Sequence, residues 1–368
     1  MPLSATILNS RQAIHFCRKD KWIQQTLKAI KMIKEKKLIL YSSIGPPNWE
    51  LLTALGVLNK LNLKLIIPVK GEKNWKETKK IITSQYSLNL DLTDFIPLFH
   101  NGINQPKAIM SKRDSLIMEQ ADILIPVSIR SKGNMETLIE QYGNNTKKII
   151  IEFLTPHQKR EKPLSYTINP DKINPQIMNW QNDYLIHWTR SFNSAWPTEK
   201  TIDFYRAISE SVVYPRTAFR SLQNIITTSV IKASSKNMPD NTETVSFSNL
   251  SPIEMVPLFK WRSRYKQMSF EPYGIGIEKN FALSLNILPV AYYDKNKPHA
   301  NDKNIPVWLT QSQGTKTNWK NEHEYRHWGD FQLTKIPANK MCLFCRTETE
   351  AKQITKEYGI RTISFERD

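Results

Sequence analysis

Cysteine is scarce. The three residues at positions 17, 342 and 345 are an odd number that cannot close a disulfide framework, and they fit a reducing compartment. Cys342 and Cys345 form one CxxC, but a tetrahedral zinc site needs four ligands, and no second CxxC or paired His motif accompanies it. Buried strand thiols are the expectation, and no metal site is assigned. Long apolar runs are also missing. Stretches such as Leu63–Val69 and Ile149–Leu154 are far shorter than the roughly 18 residues that cross a bilayer, so neither a transmembrane helix nor a membrane partner is expected. The first twenty residues hold Arg11, Arg18, Lys19 and Asp20 without a continuous apolar stretch, which does not read as a secretory signal. A cytoplasmic location follows as an expectation.

Acidic residues are in deficit. Asp and Glu number 34 against 52 Lys and Arg, a formal charge of +18 that suits polyphosphates, nucleic acid or an anionic surface without choosing among them. Part of the surplus lies in Lys31–Lys37, which reads equally well as a solvated basic face. Hydrophobic residues at 40% and aromatics at 10% exclude a disordered chain, and 368 residues suggest about two domains.

From Leu38 to Leu154, short β-rich runs alternate with helical patterns: LILYSSIG, WELLTALGVLNKL, LKLIIPV, NWKETKKIITSQY, SKRDSLIMEQA, DILIPVSI, NMETLIEQYG and KKIIIEFL. Continuous apolar strands such as Leu65–Val69 and Ile123–Val127 suit a sheet covered on both faces, so the rhythm predicts an α/β fold with a doubly wound, Rossmann-like parallel sheet over residues 1–155. Residues 156–182 carry prolines at 156, 163, 170 and 175 with little periodicity and read as a linker. Residues 183–368 mix short strands, turns and a few helices, which predicts an α+β domain with a split, mostly antiparallel sheet.

In a doubly wound sheet, ligands bind outside the carboxyl ends of the strands, here after LILYSS and DILIPVS. Ser43 and Gly45 follow the first; Arg130, Ser131, Lys132 and Gly133 follow the second. Glycines beside a helix N-terminus and basic side chains suit a phosphate, so a nucleotide or nucleotide-derived ligand is expected, with turn glycines and solvated cations as the equally weighted alternative. Gly-x-Gly-x-x-Gly is absent. The segment from Arg113 at the start of KRDSLIMEQ, through Ala121-Asp122 before a buried strand, to the turn Gly133-Asn134-x-x-Thr137 resembles the SLOG superfamily of Rossmann nucleotide-binding proteins, which includes DNA-processing protein A and the "lonely guy" phosphoribohydrolases. The resemblance covers about a third of the chain and adds Arg113 to the nucleotide-binding set. It departs from the phosphoribohydrolase loop PGGxGTxxE, because Pro126 is followed by VSIRSKG and Glu136 stands one position early, which favours nucleotide sensing over hydrolysis.

Three stripes mark the second half. His187 and Thr189 are two apart in YLIHWTR, Ser246 and Ser248 in TVSFSN, and Glu322, Glu324 and Arg326 in NEHEYR; strand residues two apart share a face. Like charges on one face cost free energy unless a cation offsets them, and Arg326 is the plain offset. A carboxylate beside a ribose also stabilises the oxocarbenium-like charge that develops when a glycosidic bond breaks. The order of the stripes resembles the ADP-ribosyltransferase fold, with its Arg or His strand, Ser-Thr-Ser-like strand and late Glu-x-Glu. That resemblance implies NAD as donor substrate, held by His187, Thr189 or Arg190; Ser246 and Ser248 ordering the site; Glu324 as the catalytic carboxylate; and Glu322 positioning the acceptor. Among the flanking aromatics Tyr265, Phe270, Tyr273, Tyr292 and Tyr293, Tyr273 is the candidate to stack on nicotinamide, against the commoner role of strand aromatics in a core. His323 and His327 are expected on the face opposite the acids. The stretch also resembles uncharacterised bacterial proteins with a W-x-x-E-x-E-[WY]-R signature.

Three functions stay open at this level. One is a nucleotide sensor joined to an ADP-ribosyltransferase-like effector, which by analogy suits stress response or phage defence. The second is a non-catalytic nucleic-acid-binding protein, and the third a phosphoribohydrolase acting at the N-terminal site. No motif encodes the oligomeric state, and a homo-oligomer is compatible with all three.

Overall fold

The computed structural model describes residues 2–100, 106–143, 147–158, 166–180, 183–236, 238–262, 267–294, 305–313 and 319–368. The chain forms two compact units, residues 1–161 with 193–215, and residues 162–192 with 216–368. No helix among the described residues is long and apolar enough to cross a membrane.

In the first unit, strands β1 (Ser4–Asn9), β2 (Ile39–Ser42), β3 (Leu63–Lys70), β4 (Thr93–His100), β5 (Ile123–Ser128) and β6 (Lys148–Ile149) form one parallel sheet in the order β4-β3-β2-β1-β5-β6. Helices α1 (Lys21–Glu35), α2 (Pro47–Leu58), α3 (Trp75–Tyr86), α4 (Pro106–Gln120) and α5 (Asn134–Gly143) connect the strands. The α/β expectation holds. The order reverses at β1, where the chain crosses from the β2 side to β5, so the carboxyl ends of β1 and β5 flank the crevice at which such sheets bind ligands. The alternation starts earlier than Leu38, because β1 is the central strand. Its sequence SATILN carries Ser, Thr and Asn and gives little apolar signal, although all six residues are buried. Strand β4 contains Pro97, which a sheet tolerates best at an edge, and β4 is the edge strand. Helix α1 buries Trp22, Ile23, Thr26, Ala29, Ile30 and Ile33 at helical spacing and leaves Lys28, Lys31 and Lys34 exposed. Each buried Ile of that stripe contributes roughly 1.5–3 kcal/mol.

The segment 193–215 belongs with the first unit, although the sequence places it in the second domain. Its helix α6 (Thr201–Glu210) sends Ile202, Phe204, Tyr205 and Ile208 into the first core. Residues 166–180 also differ from a plain linker. Asn169 and Asn174 cap a 3-10 turn and a short helix that begin at Pro170 and Pro175, and Ile168 and Ile177 are buried in the second unit. Proline at a first helical position starts structure here instead of interrupting it.

The second unit is built on a seven-stranded sheet. Its strands are β7 (Tyr184–Trp188), β8 (Thr244–Ser248), β9 (Gly274–Glu278), β10 (Leu288–Pro289), β11 (Glu324–Trp328), β12 (Met341–Thr347) and β13 (Thr362–Glu366), in the order β10-β11-β8-β7-β9-β12-β13. The pairings are antiparallel except β12 with β13, which agrees with the mostly antiparallel sheet expected. Both faces are covered. Leu185, Phe247, Ile275, Leu343 and Cys345 belong to one core, and Ile186, Trp188, Cys342, Phe344 and Phe365 to the other. A side chain at Gly274 would lie 2.8 Å from the Trp188 ring and 3.1 Å from the His187 carbonyl, so glycine lets Trp188 lie across β9.

Candidate functional site

The three stripes meet on neighbouring strands, β7, β8 and β11. Glu324 stands opposite Ser248 and Arg326 opposite Ser246, while Ile186 of β7 stands opposite Ser248. Directly opposed residues share a face, so alternation along β7 places Trp188 on the face of Ser246, Ser248, Glu324 and Arg326. His187 points to the other face, against Phe247 with ring centroids 5.8 Å apart. This corrects the expected line of His187 and Thr189 with the serines and the acid. A period of two fixes which residues go together but not which face they take, and a one-residue slip exchanges the faces.

His187 Nδ1 lies 2.9 Å from the Ser246 carbonyl oxygen, which can only accept, so Nδ1 carries the proton. Burial pushes the imidazole pKa below its usual value. Thr189 is buried, and its hydroxyl donates to the carbonyls of Tyr273 (3.2 Å) and Ala218 (3.3 Å). Tyr273 is also core, its hydroxyl donating to Glu350 Oε1 at 3.0 Å, and burial drives its pKa far up. All three side chains brace the fold, and Tyr273 is thereby corrected from a stacking residue to a packing one.

Arg190, just beyond β7, is half-buried and has no hydrogen-bond acceptor among the described residues. Burial and then the neighbouring Arg262 push its pKa down, while Glu271 works in the opposite direction. Glu324 is held by two residues through three hydrogen bonds. Oε1 accepts from Ser246 Oγ at 2.7 Å and from Arg326 Nε at 2.9 Å, and Oε2 accepts from Arg326 Nη2 at 2.9 Å. Arg326 is 1% exposed and also donates to the carbonyls of Trp308 and Thr310 and to Gln311 Oε1, so its guanidinium is an anchor and not a free cation. Glu324 still borders an open recess of about 460 Å³ with Asn249, Tyr292, Lys320 and His323.

Glu322 lies in a 3-10 turn, Trp319–Glu322, and not on β11 as the one-row reading requires. His323, with φ of 44°, adopts the left-handed backbone that separates turn from strand. The Glu322 carbonyl accepts from Ser248 Oγ at 2.7 Å, and its carboxylate pairs with Arg262 at 3.1 Å. Burial pushes the Glu322 pKa up to about 6, with Arg262 opposing and Glu324 adding. Arg262 and Asn249 gave no signal in the sequence. Tyr292, noted only as one of several aromatics, has its hydroxyl 3.4 Å from the Glu324 amide that donates to it.

Ser43, Gly45 and residues 130–133 sit at strand ends as expected, but most are occupied by the fold, while Arg113, expected to open a helix, lies in the middle of α4. Ser43 Oγ donates to the Ile66 carbonyl at 2.6 Å. Gly45, at φ of 105°, gives its N–H to Glu50 Oε1, and Lys132, at φ of 56°, gives its own to Glu136 Oε2 at 2.6 Å. Gly133 donates to the Arg130 carbonyl. Arg113 is 1% exposed, bonded to Asp114 and the Ile44 carbonyl and stacked at 5.6 Å on Trp49, so it is a brace; this corrects its placement in a nucleotide site. The side chains of Arg130, Ser131 and Lys132 are exposed. A set the sequence did not single out lies at the ends of β1 and β5. His157 Nδ1 is 3.3 Å from Gln12 Nε2 and 3.4 Å from Ser128 Oγ, and burial with Arg130 lowers the His157 pKa. Nearby at the end of β1, the buried Asn9 Oδ1 has no partner among the described residues. Tyr265 lies outside the described residues.

No protein-family model matches the chain, and no curated protein matches it. Among solved structures it is similar to DNA processing protein A from Streptococcus pneumoniae, at 12% identity over 40% of this chain and 49% of that chain, with a TM-score of 0.30. It is also similar to DNA processing protein A from Helicobacter pylori, whose structure is described as revealing a single-stranded DNA binding mode, at 14% identity over 39% of this chain and 62% of that chain, with a TM-score of 0.27. The chain thus spans less than two thirds of either protein.

Proposed function

We propose that the second unit transfers ADP-ribose from NAD, with Glu324 as the catalytic carboxylate. The supporting observation is the meeting of the arginine, serine and glutamate motifs on adjacent strands, with Ser246 Oγ 2.7 Å from Glu324 Oε1. In this reading Arg190, of the three alternatives His187, Thr189 and Arg190, holds the donor's diphosphate. Ser246 and Arg326 aim the Glu324 carboxylate at the nicotinamide ribose. The bond from the ribose anomeric carbon to nicotinamide breaks, neutral nicotinamide leaves with the electron pair, and the carboxylate stabilises the oxocarbenium-like charge left behind. An acceptor nucleophile then bonds to the anomeric carbon and gives up its proton to water or to Glu322. The first unit, in the same reading, binds a nucleotide-derived ligand at the ends of β1 and β5, near His157, Gln12 and Ser128.

Incubation with NAD tests the transferase directly. The wild-type chain is expected to release nicotinamide, and Glu324→Gln to release it at least about a hundredfold more slowly. Equal traces from the two proteins reject the enzyme. A second reading, nucleic-acid binding without catalysis, is favoured by the charge of +18. It predicts affinity for single-stranded DNA that falls steeply with salt as counterions are released, and a flat salt response rejects it.

A further inference from the structure

The recess beside Glu324 is framed by hydrogen bonds to backbone. Asn249 gives its N–H to the His323 carbonyl at 3.1 Å, Ser248 Oγ donates to the Glu322 carbonyl, and the Val290 N–H donates to the Glu324 carbonyl at 3.0 Å. These bonds tie the turn Trp319–Glu322 and the segment leading to Tyr292 onto β8 and β11, so the recess is preformed. Its volume of about 460 Å³ lies within the roughly 300–1,000 Å³ of small-molecule sites. Its polar groups are largely uncommitted. The Tyr292 hydroxyl accepts the Glu324 N–H but gives its own proton to no acceptor among the described residues. The Asn249 carboxamide donates to none of them, and its buried Oδ1 has no donor there either. With neither end fixed, the amide can turn its N–H or its oxygen towards a ligand. Pro289 and Val290 add apolar surface, and the exposed Lys320 adds a cation. A cationic group entering here meets Lys320 and finds Glu324 already paired with Arg326, while an anionic group next to Glu324 is repelled by its carboxylate. The lining therefore selects a flat, neutral group that carries N–H and C=O on its edge and is joined to an anion. A nucleotide is such a molecule: its base edge suits the asparagine amide, and its phosphate suits the lysine.

We propose that this recess binds one unpaired nucleotide, with the base edge on Asn249 and the Tyr292 hydroxyl and the phosphate on Lys320. A base inside a duplex is excluded, because its edge is already paired. On the transferase reading this nucleotide is the acceptor: a base nitrogen bonds to the anomeric carbon of the donor ribose, nicotinamide leaves with the electron pair, and the base gives up its proton to water. That role rests on the transferase reading; occupation of the recess does not.

Calorimetric titration of the full chain with the common nucleoside monophosphates, the matching nucleosides and ribose 5-phosphate tests this. At least one monophosphate is expected to bind about tenfold more tightly than ribose 5-phosphate. Asn249→Ala and Tyr292→Phe should each reduce that preference about three- to tenfold. Lys320→Gln should weaken the monophosphate and leave the nucleoside unchanged, a division that a folding defect does not produce. Binding by the first unit is common to all these proteins and cancels in the comparison. Equal affinity for ribose 5-phosphate, or a base preference unaltered in Asn249→Ala and Tyr292→Phe, overturns the proposal. Displacement of the monophosphate by free nicotinamide also overturns it, by making the recess part of the donor site. Tighter binding of a single-stranded oligonucleotide than of the monophosphate, with no competition from the same sequence as a duplex, identifies nucleic acid as the source; the reverse order identifies a free nucleotide. If the binding pattern holds while NAD yields no nicotinamide, the transferase reading fails and the recess stands, whereas nicotinamide release without recess binding overturns the recess alone.

Discussion

The two units treat anion-binding groups in opposite ways. In the first, the strand-end turns that a glycine and basic pattern marks for phosphate are closed by the chain's own carboxylates, Glu50 on the Gly45 N–H and Glu136 on the Lys132 N–H. In the second, no glycine loop advertises a site, yet Arg190, half-buried just beyond β7, has no hydrogen-bond acceptor among the described residues. The difference teaches that affinity for an anion follows the local balance of donors and acceptors more than the presence of a turn, because a filled N–H has nothing further to give.

Four measurements sharpen or break that contrast. The largest effect is expected for Arg113→Ala, which removes a fully buried guanidinium from the part-buried Asp114 carboxylate, whose pKa desolvation already raises; urea unfolding of the chain should show a loss of about 3–5 kcal/mol. A loss below about 1 kcal/mol would mean that Arg113 is not a brace. On the transferase reading Glu324→Gln should cost about 2.7–4 kcal/mol in barrier, measured per folded molecule because the change also takes the carboxylate from the buried Arg326 and should lower the urea midpoint; unaltered turnover of the folded fraction would make Glu324 a scaffold residue. The third concerns pH. The folded pKa of Glu322, about 6, lies above the usual 4.5, so the folded state holds the proton more tightly; this contribution is full below pH 4.5 and is lost as pH rises through 6, at most about 2 kcal/mol. Glu322→Gln should flatten the pH dependence of unfolding between those limits, and an unaltered curve would assign it to other groups. The smallest effect belongs to Glu136→Gln. Weakening the carboxylate bond to the Lys132 N–H should cost about 1 kcal/mol and raise the affinity of the first unit for inorganic phosphate, and no gain in phosphate binding would break the comparison.

Much of the fold was legible because buried strands of a parallel sheet are continuous apolar runs, and Leu65–Val69 and Ile123–Val127 are such runs. The serine and glutamate stripes were legible for a related reason, since a period of two puts Ser246 with Ser248 and Glu324 with Arg326 whatever surrounds them. Strand β7 defeated the same reasoning. In His187-Trp188-Thr189 the polar residues turn to a core and the tryptophan takes the polar face, and only pairing with Ser248 decides between the alternatives. Arg262 was invisible because its partner is 60 residues away, and no local pattern reports an ion pair across such a distance. The boundary at 193–215 escaped notice because α6 carries the amphipathic stripe of any packed helix, and a stripe does not name the core that receives it.

The three cysteines give the molecule a built-in set of clocks. Cys17 is buried in the first unit, while Cys342 and Cys345, three apart on β12, lie in separate cores on opposite faces of the second sheet. Burial raises both of the latter thiols, Cys342 to about 12, so alkylating reagents should reach each sulfur only when its own layer opens. Labelling rates at the three positions would therefore time the loosening of each layer separately, without introducing a foreign probe.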